Sequence, residues 1–236
     1  MSTYDARDTC RQQLVDAIHL LGALGYGHGL AGYMSARDPQ RDDCYWVNPL
    51  GVDFRRLRVD DLLLIGPDGE VVDGQGELNP SVDPLHGELH RARPDLAAFT
   101  HTHSPLGKAW SALGRPLAPI TQDSCALFER HALYAEFGGP VTDRTEGKQI
   151  ATVLGDRMAV ILRNHGFLTG GRTIAEAAWL HVVMERAAEV QLLAEGAGEP
   201  YVIPDDIARA TARMLSKVEY ANAQFRNLYA TTCTRL

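Results

Sequence analysis

Apolar positions recur along the chain with two periods, one near 3.6 residues and one of 2, and they divide it into helices and strands. From Tyr4 to Leu24, Cys10, Leu14, Ala17, Ile18, Leu21 and Leu24 fall on one stripe, which predicts a helix. Tyr33–Arg37 and Cys44–Asn48 predict two strands joined by a charged turn at Asp38-Pro39. Leu63-Leu64-Ile65, the turn Pro67-Asp68-Gly69 and Glu70-Val71-Val72 predict a hairpin. A helix is predicted between Ser81 and Arg93, with His86 and His90 at i and i+4 on one face. Beyond the strand at Phe99–His103, Leu106–Leu113 reads as a helix, Leu117–Ile120 and Ala132–Phe137 as strands, Thr145–Leu154 as a helix and Met158–Leu162 as a buried strand. Thr173-Ile174-Ala175-Glu176 has capping-box spacing and opens a long helix to about Ala194. Pro204-Asp205-Asp206 opens a last helix toward Tyr229, with Ile207, Ala210, Met214 and Val218 as its apolar stripe. With no repeat, low-complexity stretch or linker, residues 1–236 are expected to form a single domain, with helices outside a mixed or antiparallel sheet.

Composition narrows the class. At 236 residues and 45% hydrophobic content the chain can bury a sizeable core. Its net charge of −7, without a Lys/Arg cluster, argues against nucleic acid and for a small-molecule substrate. Cys10, Cys44, Cys125 and Cys233 form no Cys-x-x-Cys pair, and the N-terminus is polar, so reduced thiols in the cytoplasm are the expectation. No apolar run approaches the roughly 18 residues of a membrane span, so no membrane partner is expected.

The chemistry is concentrated in Phe99-Thr100-His101-Thr102-His103. Residues i and i+2 of a strand share a face, so both imidazoles can aim at one ion. A His-x-His pair alone is as often simply hydrogen-bonded. A third histidine changes that balance, because Met158–Leu162 runs into Arg163-Asn164-His165-Gly166 and then into the turn-rich Leu168-Thr169-Gly170-Gly171. Three histidines with an open position make a catalytic rather than a structural metal site. The nominal dinucleotide fingerprint Gly27-x-Gly29-x-x-Gly32 follows a helix instead of a strand and is rejected, although its backbone could cradle an anion.

Collinear segments over about Leu14–Leu193 resemble the class II aldolase/adducin family: Gly29–Arg37, Asn48-Pro49-Leu50-Gly51, Pro80-Ser81 with His86, Arg93-Pro94-Asp95, His101-Thr102-His103-Ser104, Arg163-Asn164-His165-Gly166 and the helix around Glu176–Glu189. The resemblance implies an α/β fold of three layers, α/β/α, with a central, mainly antiparallel sheet. It also implies a divalent metal ion (Zn, Mn, Fe or Co, which the sequence does not distinguish) on His101, His103 and His165, and a homotetramer with active sites between subunits. Ser35, Asn48 and Gly51 fall at substrate-binding positions of the matching segments. Arg37 or Arg163 is suited to pair a substrate carboxylate.

Two departures from the sugar-phosphate members direct the functional reading. The position four before His86, a carboxylate there, is Val82, with Asp83 one residue later, and Gly32 is followed by Tyr33 where phosphate binders carry Asn. Asn79-Pro80 resembles instead the branch of decarboxylases acting on hydroxylated aromatic or heteroaromatic acids. In that reading the metal is the electron sink, His86 is the first candidate for the proton donor, and Asp83 and Tyr229 are further ones, Tyr229 by reaching a neighbour's site. Three alternatives stand beside it: an aldolase acting on a non-phosphorylated hydroxy-keto acid, an iron-dependent oxygenase, and a non-catalytic adducin-like protein.

Overall fold

The computed structural model describes residues 3–233. Helix α1 (Thr3–Ala23) precedes two strands, β1 (Tyr33–Arg37) and β2 (Tyr45–Val47), and the hairpin β3 (Leu63–Ile65) and β4 (Val71–Asp73). A π-helical turn, Asp83–Gly87, runs directly into α2 (Glu88–Ala92), followed by β5 (Ala98–Thr102), α3 (Pro105–Leu113), β6 (His131–Tyr134) and α4 (Arg144–Leu154). Then come β7 (Ala159–Leu162), β8 (Gly166–Gly171), α5 (Ile174–Ala197), α6 (Asp205–Leu215) and α7 (Val218–Cys233).

The eight strands form one sheet in the order β4-β3-β2-β1-β5-β8-β7-β6, antiparallel throughout except for the parallel pair β6–β7. Strand alternation sorts the core. Met34, Ala36, Trp46, Leu64 and Ala98 pack with Leu14, Ile18 and Leu21 of α1 and Ala177, Ala178 and Val182 of α5. Tyr33, Tyr45, Val47, Leu63, Ile65 and Phe99 belong to the cluster holding Leu85 and Leu89 of the α2 segment and Ile150 of α4. The result is the three-layer α/β/α arrangement with a mainly antiparallel sheet.

Four local expectations are corrected. Leu168–Gly171 is not turn-rich but the end of a fully buried strand, paired on both edges with β5 and β7; a side chain is excluded at Gly171, where a Cβ would meet backbone of Thr173 and Ala177 at 2.3–2.9 Å. Leu117–Ile120 is not a strand. Side chains satisfy its backbone instead: Leu117 N–H donates to His131 Nε2 at 3.0 Å and Ala118 N–H to Gln191 Oε1 at 2.9 Å. The last helix is two, broken at Ser216-Lys217. The buried face of α6 is Ala208, Ala212 and Leu215, so the expected stripe points outward, with Ile207 at 53% and Met214 at 70% exposure.

Candidate metal centre

His101 lies on β5, the sheet's central strand beside β1 and β8, and His103 lies one residue past its end. Antiparallel pairing of β5 with β8 sets Thr102 opposite Phe167, which brings the β7–β8 turn, Arg163-Asn164-His165, alongside His103. Local chemistry shapes that turn. Asn164 adopts a left-handed φ of 58°, which asparagine tolerates better than most residues. Gly166 must lack a side chain, because a Cβ there would sit 2.6 Å from the Thr102 carbonyl oxygen.

The three imidazoles converge. Ring centroids are 5.0 Å apart for His101–His103, 4.7 Å for His101–His165 and 4.6 Å for His103–His165, and one nitrogen from each lies within 4.8 Å of the others. His101 Nδ1 is 3.0 Å from the Phe167 carbonyl oxygen, which only accepts, so Nδ1 carries the proton and Nε2 offers its lone pair 3.2 Å from His103 Nε2. Imidazole–metal bonds near 2 Å require ligand nitrogens about 3 Å apart; His101 and His103 stand at that spacing, and with His165 inside 4.8 Å of both the three form a donor set able to close on one ion. Burial, reinforced by the charges of His165 and His103, holds His101 well below the usual imidazole pKa; burial and His103 bring His165 down to about 4; burial and Lys108 lower His103. All three are therefore neutral near pH 7, the form that binds metal.

Residues of the opposite strand face brace these ligands. Thr102 and Ser104 alternate with His101 and His103 and point to α5, where His181 and Glu185 stand one turn apart. Thr102 Oγ1 is 2.8 Å from His181 Nε2, and the Ser104 hydroxyl donates to Glu185 Oε1. Burial pushes the Glu185 carboxyl up to about 7, against the lowering effect of its bond from Ser104. Sequence reasoning assigned neither residue a role. The signal was present: two polar residues on the inward face of a buried strand require buried partners.

Around the histidines opens a cavity of about 740 Å³, walled by Leu30, Tyr33, Leu50, Pro80, Phe137 and Pro140, with Lys108, Thr142 and Asn164 also at its lining. Among the described residues no Asp or Glu lines it. Lys108 is a third residue the sequence reading missed. It lies five residues after His103 on α3, and only the fold shows that this helix borders the cavity.

Other expected site residues lie elsewhere. His86 is fully buried; its Nδ1 and His90 Nε2 each lie 2.8 Å from Ser35 Oγ, so that hydroxyl donates to one ring and accepts from the other. Tyr33 lies between His86 and His101, its ring centroid 4.6 Å from the first and 5.5 Å from the second. Burial pushes the His86 pKa down to about 3, below the near-neutral range expected of a proton donor, and its ring is held by Ser35. Asp83 is bound to Arg91 at 2.8 Å and Arg144 at 2.7 Å, away from the cavity. Arg37 lines a different cavity and bonds the carbonyls of Asp42 and His90, at 2.6 and 2.7 Å. Arg163 is exposed in the turn and absent from the cavity lining. Asn48 Oδ1 accepts from Met34 N–H at 3.0 Å; with Gly51 it lines a small recess that shares Leu30, Gly32, Leu50 and Asn79 with the histidine cavity. Tyr229 donates to Asp16 at 3.2 Å and lines a separate cavity between α1, α5 and α7.

Residues 12–192 match the family model described as the Class II Aldolase and Adducin N-terminal domain. The chain is 41% identical over 201 residues to "Decarboxylase NovR" of Streptomyces niveus, covering 84% of this chain and 74% of that protein. It is 38% identical over 221 residues to the "4-hydroxy-3-prenylphenylpyruvate oxygenase/4-hydroxy-3-prenylbenzoate synthase" of Streptomyces roseochromogenus subsp. oscitans, covering 93% and 80%. Among solved structures, an "L-fuculose 1-phosphate aldolase from Glaciozyma antarctica PI12" superposes with a TM-score of 0.90 at 35% identity, over 98% of this chain and 91% of that one. The fold, the histidine constellation and these similarities agree: the chain belongs to the class II aldolase and adducin family, alongside its decarboxylase-named members.

Proposed function

We propose that the protein is a metal-dependent lyase that decarboxylates a hydroxylated aromatic or heteroaromatic acid. The observation that carries this reading is the cavity lining: three imidazoles at one end, apolar walls of Leu30, Tyr33, Leu50 and Phe137, and no carboxylate. His101, His103 and His165 would hold the divalent ion. When bound, such an ion supplies Lewis-acid stabilisation of negative charge developing on nearby substrate oxygens. The apolar walls suit a flat ring. Aldol cleavage needs a base to remove a hydroxyl proton, and neither Val82 nor the salt-bridged Asp83 provides one here. Loss of carbon dioxide needs no such base, because the carboxylate's carbon–carbon bonding electrons stay on the ring carbon. A proton then replaces carbon dioxide there; because His86 is fully buried and outside the cavity lining, we assign its delivery to solvent water at the cavity mouth. The relative named a decarboxylase supports the reading.

A second reading is an iron-dependent oxygenase on the same histidines, favoured by the oxygenase-named relative that matches 93% of the chain. The test is to load purified protein with manganese, zinc, iron or cobalt and assay a panel of hydroxyaromatic acids for carbon dioxide release and oxygen uptake. Carbon dioxide without oxygen uptake is expected. Stoichiometric oxygen uptake selects the oxygenase, and turnover of fuculose or rhamnulose phosphates at ordinary enzyme rates overturns both.

A further inference from the structure

We infer that Lys108 is the specificity-determining residue of the histidine cavity, the cation that pairs with the substrate's carboxylate; this rests on the proposal that the substrate is an aromatic acid. Both arginines suited by sequence to that task lie outside the cavity, Arg37 tied to backbone carbonyls and Arg163 in the exposed turn. Among the described residues Lys108 is left as the one Lys or Arg at the lining. It is carried there by α3, whose N-cap, Ser104, follows His103 directly, so the strand that supplies two imidazoles also determines where the lysine stands.

Lys108 is also uncompensated. Lys108 has no ion pair among the described residues, and no described carboxylate lines the cavity beside it. An unpaired cation at the rim of an apolar cavity favours an anionic ligand over its neutral isostere. Lysine, a point charge on a flexible stem, holds a carboxylate without dictating a bidentate geometry. The ligand class that matches is a flat ring bearing one carboxylate, its ring against Phe137 and Leu30 and its oxygens shared between the histidine end and Lys108.

The test is calorimetric binding of 4-hydroxybenzoate and its uncharged analogue 4-hydroxybenzamide to metal-loaded wild type, Lys108→Met and Lys108→Arg, with metal content and melting temperature measured on each. Wild type is expected to prefer the acid by well over tenfold, part of that preference coming from the metal ion; Lys108→Met to reduce it by about tenfold, with amide binding within a few-fold of wild type; Lys108→Arg to retain most of it. Equal binding of acid and amide by wild type, or a preference undiminished in a folded, metal-replete Lys108→Met, overturns the assignment. The two proposals fail separately. A Lys108-dependent preference without carbon dioxide release from any aromatic acid keeps the anchor and removes the decarboxylase, whereas carbon dioxide release with a Lys108-independent preference does the reverse.

Discussion

His101 Nδ1 donates to the carbonyl oxygen of Phe167 at 3.0 Å, so strand β8 sets the tautomer of a residue on strand β5. The bond leaves Nε2 unprotonated and turned toward His103 and His165. Backbone pairing thereby pre-organises the donor set.

Replacing His101, His103 or His165 singly by alanine should therefore lower metal affinity by roughly 100-fold or more, since even residues that merely support a ligand cost about 10- to 100-fold. Elemental analysis after dialysis checks this. Full metal occupancy in any of the three variants removes that histidine from the set.

Stability should fall on the acid side. His86 and His181 are fully buried and their pKa values drop from 6.5 to about 3, so the unfolded chain binds more protons than the folded one across that window. Their contribution is whole above about pH 6.5 and is lost as pH falls toward 3, at roughly 1.4 kcal/mol per pH unit for each residue. Glu185 acts in the opposite sense: its carboxyl rises from 4.5 to about 7, so its burial is tolerated below pH 4.5 and destabilises increasingly up to pH 7. Two histidines outweigh one carboxyl. Melting of metal-depleted protein should thus move to lower temperature from pH 6.5 to 4.5, and Glu185→Gln should stabilise at pH 8 more than at pH 4.5. A flat melting profile from pH 7 to 4.5 contradicts the neutral burial of these histidines.

His86→Ala should act on stability rather than turnover. It removes a buried ring and leaves Ser35 with one partner fewer, a loss on the order of 2–4 kcal/mol. Activity per folded, metal-loaded molecule should stay within a few-fold of wild type. A hundredfold fall in kcat with intact folding and metal would reinstate His86 as the proton donor.

A homotetramer is the expected assembly, motivated now by the outward apolar positions Ile207 at 53%, Met214 at 70%, Tyr201 at 79% and Leu193 at 70% exposure. Light scattering should give four times 25.9 kDa, and Ile207→Asp with Met214→Asp should dissociate it if α6 forms the contact. A wild-type monomer mass refutes the assembly.

Period-2 alternation by itself placed His101 and His103 on one face of a strand, because side-chain direction in a strand depends on nothing but parity. The strand-to-turn transition at Leu162–Gly166 and the collinear motifs marked His165 as their partner. Composition and spacing likewise argued against a dinucleotide site and a nucleic-acid face.

Which polar residues share the cavity with those histidines was decided by packing. His86 shares a segment with the family's motif and reads as catalytic, yet the π-helical turn Asp83–Gly87 and the ring of Tyr33 place it in the core, where desolvation keeps it neutral. Asp83 goes to two arginines that lie 8 and 61 residues away in the chain. Lys108 reads as an ordinary helix-surface lysine until α3 is set against the cavity. The glycines of Gly166–Gly171, which signal a turn locally, are a strand because β5 and α5 approach too closely for side chains. The apolar stripe of α6 faces outward because Ala208 and Ala212 allow the helix to lie close on its other side. Each of these depends on contacts between segments distant in sequence, and local periodicity contains no information about them.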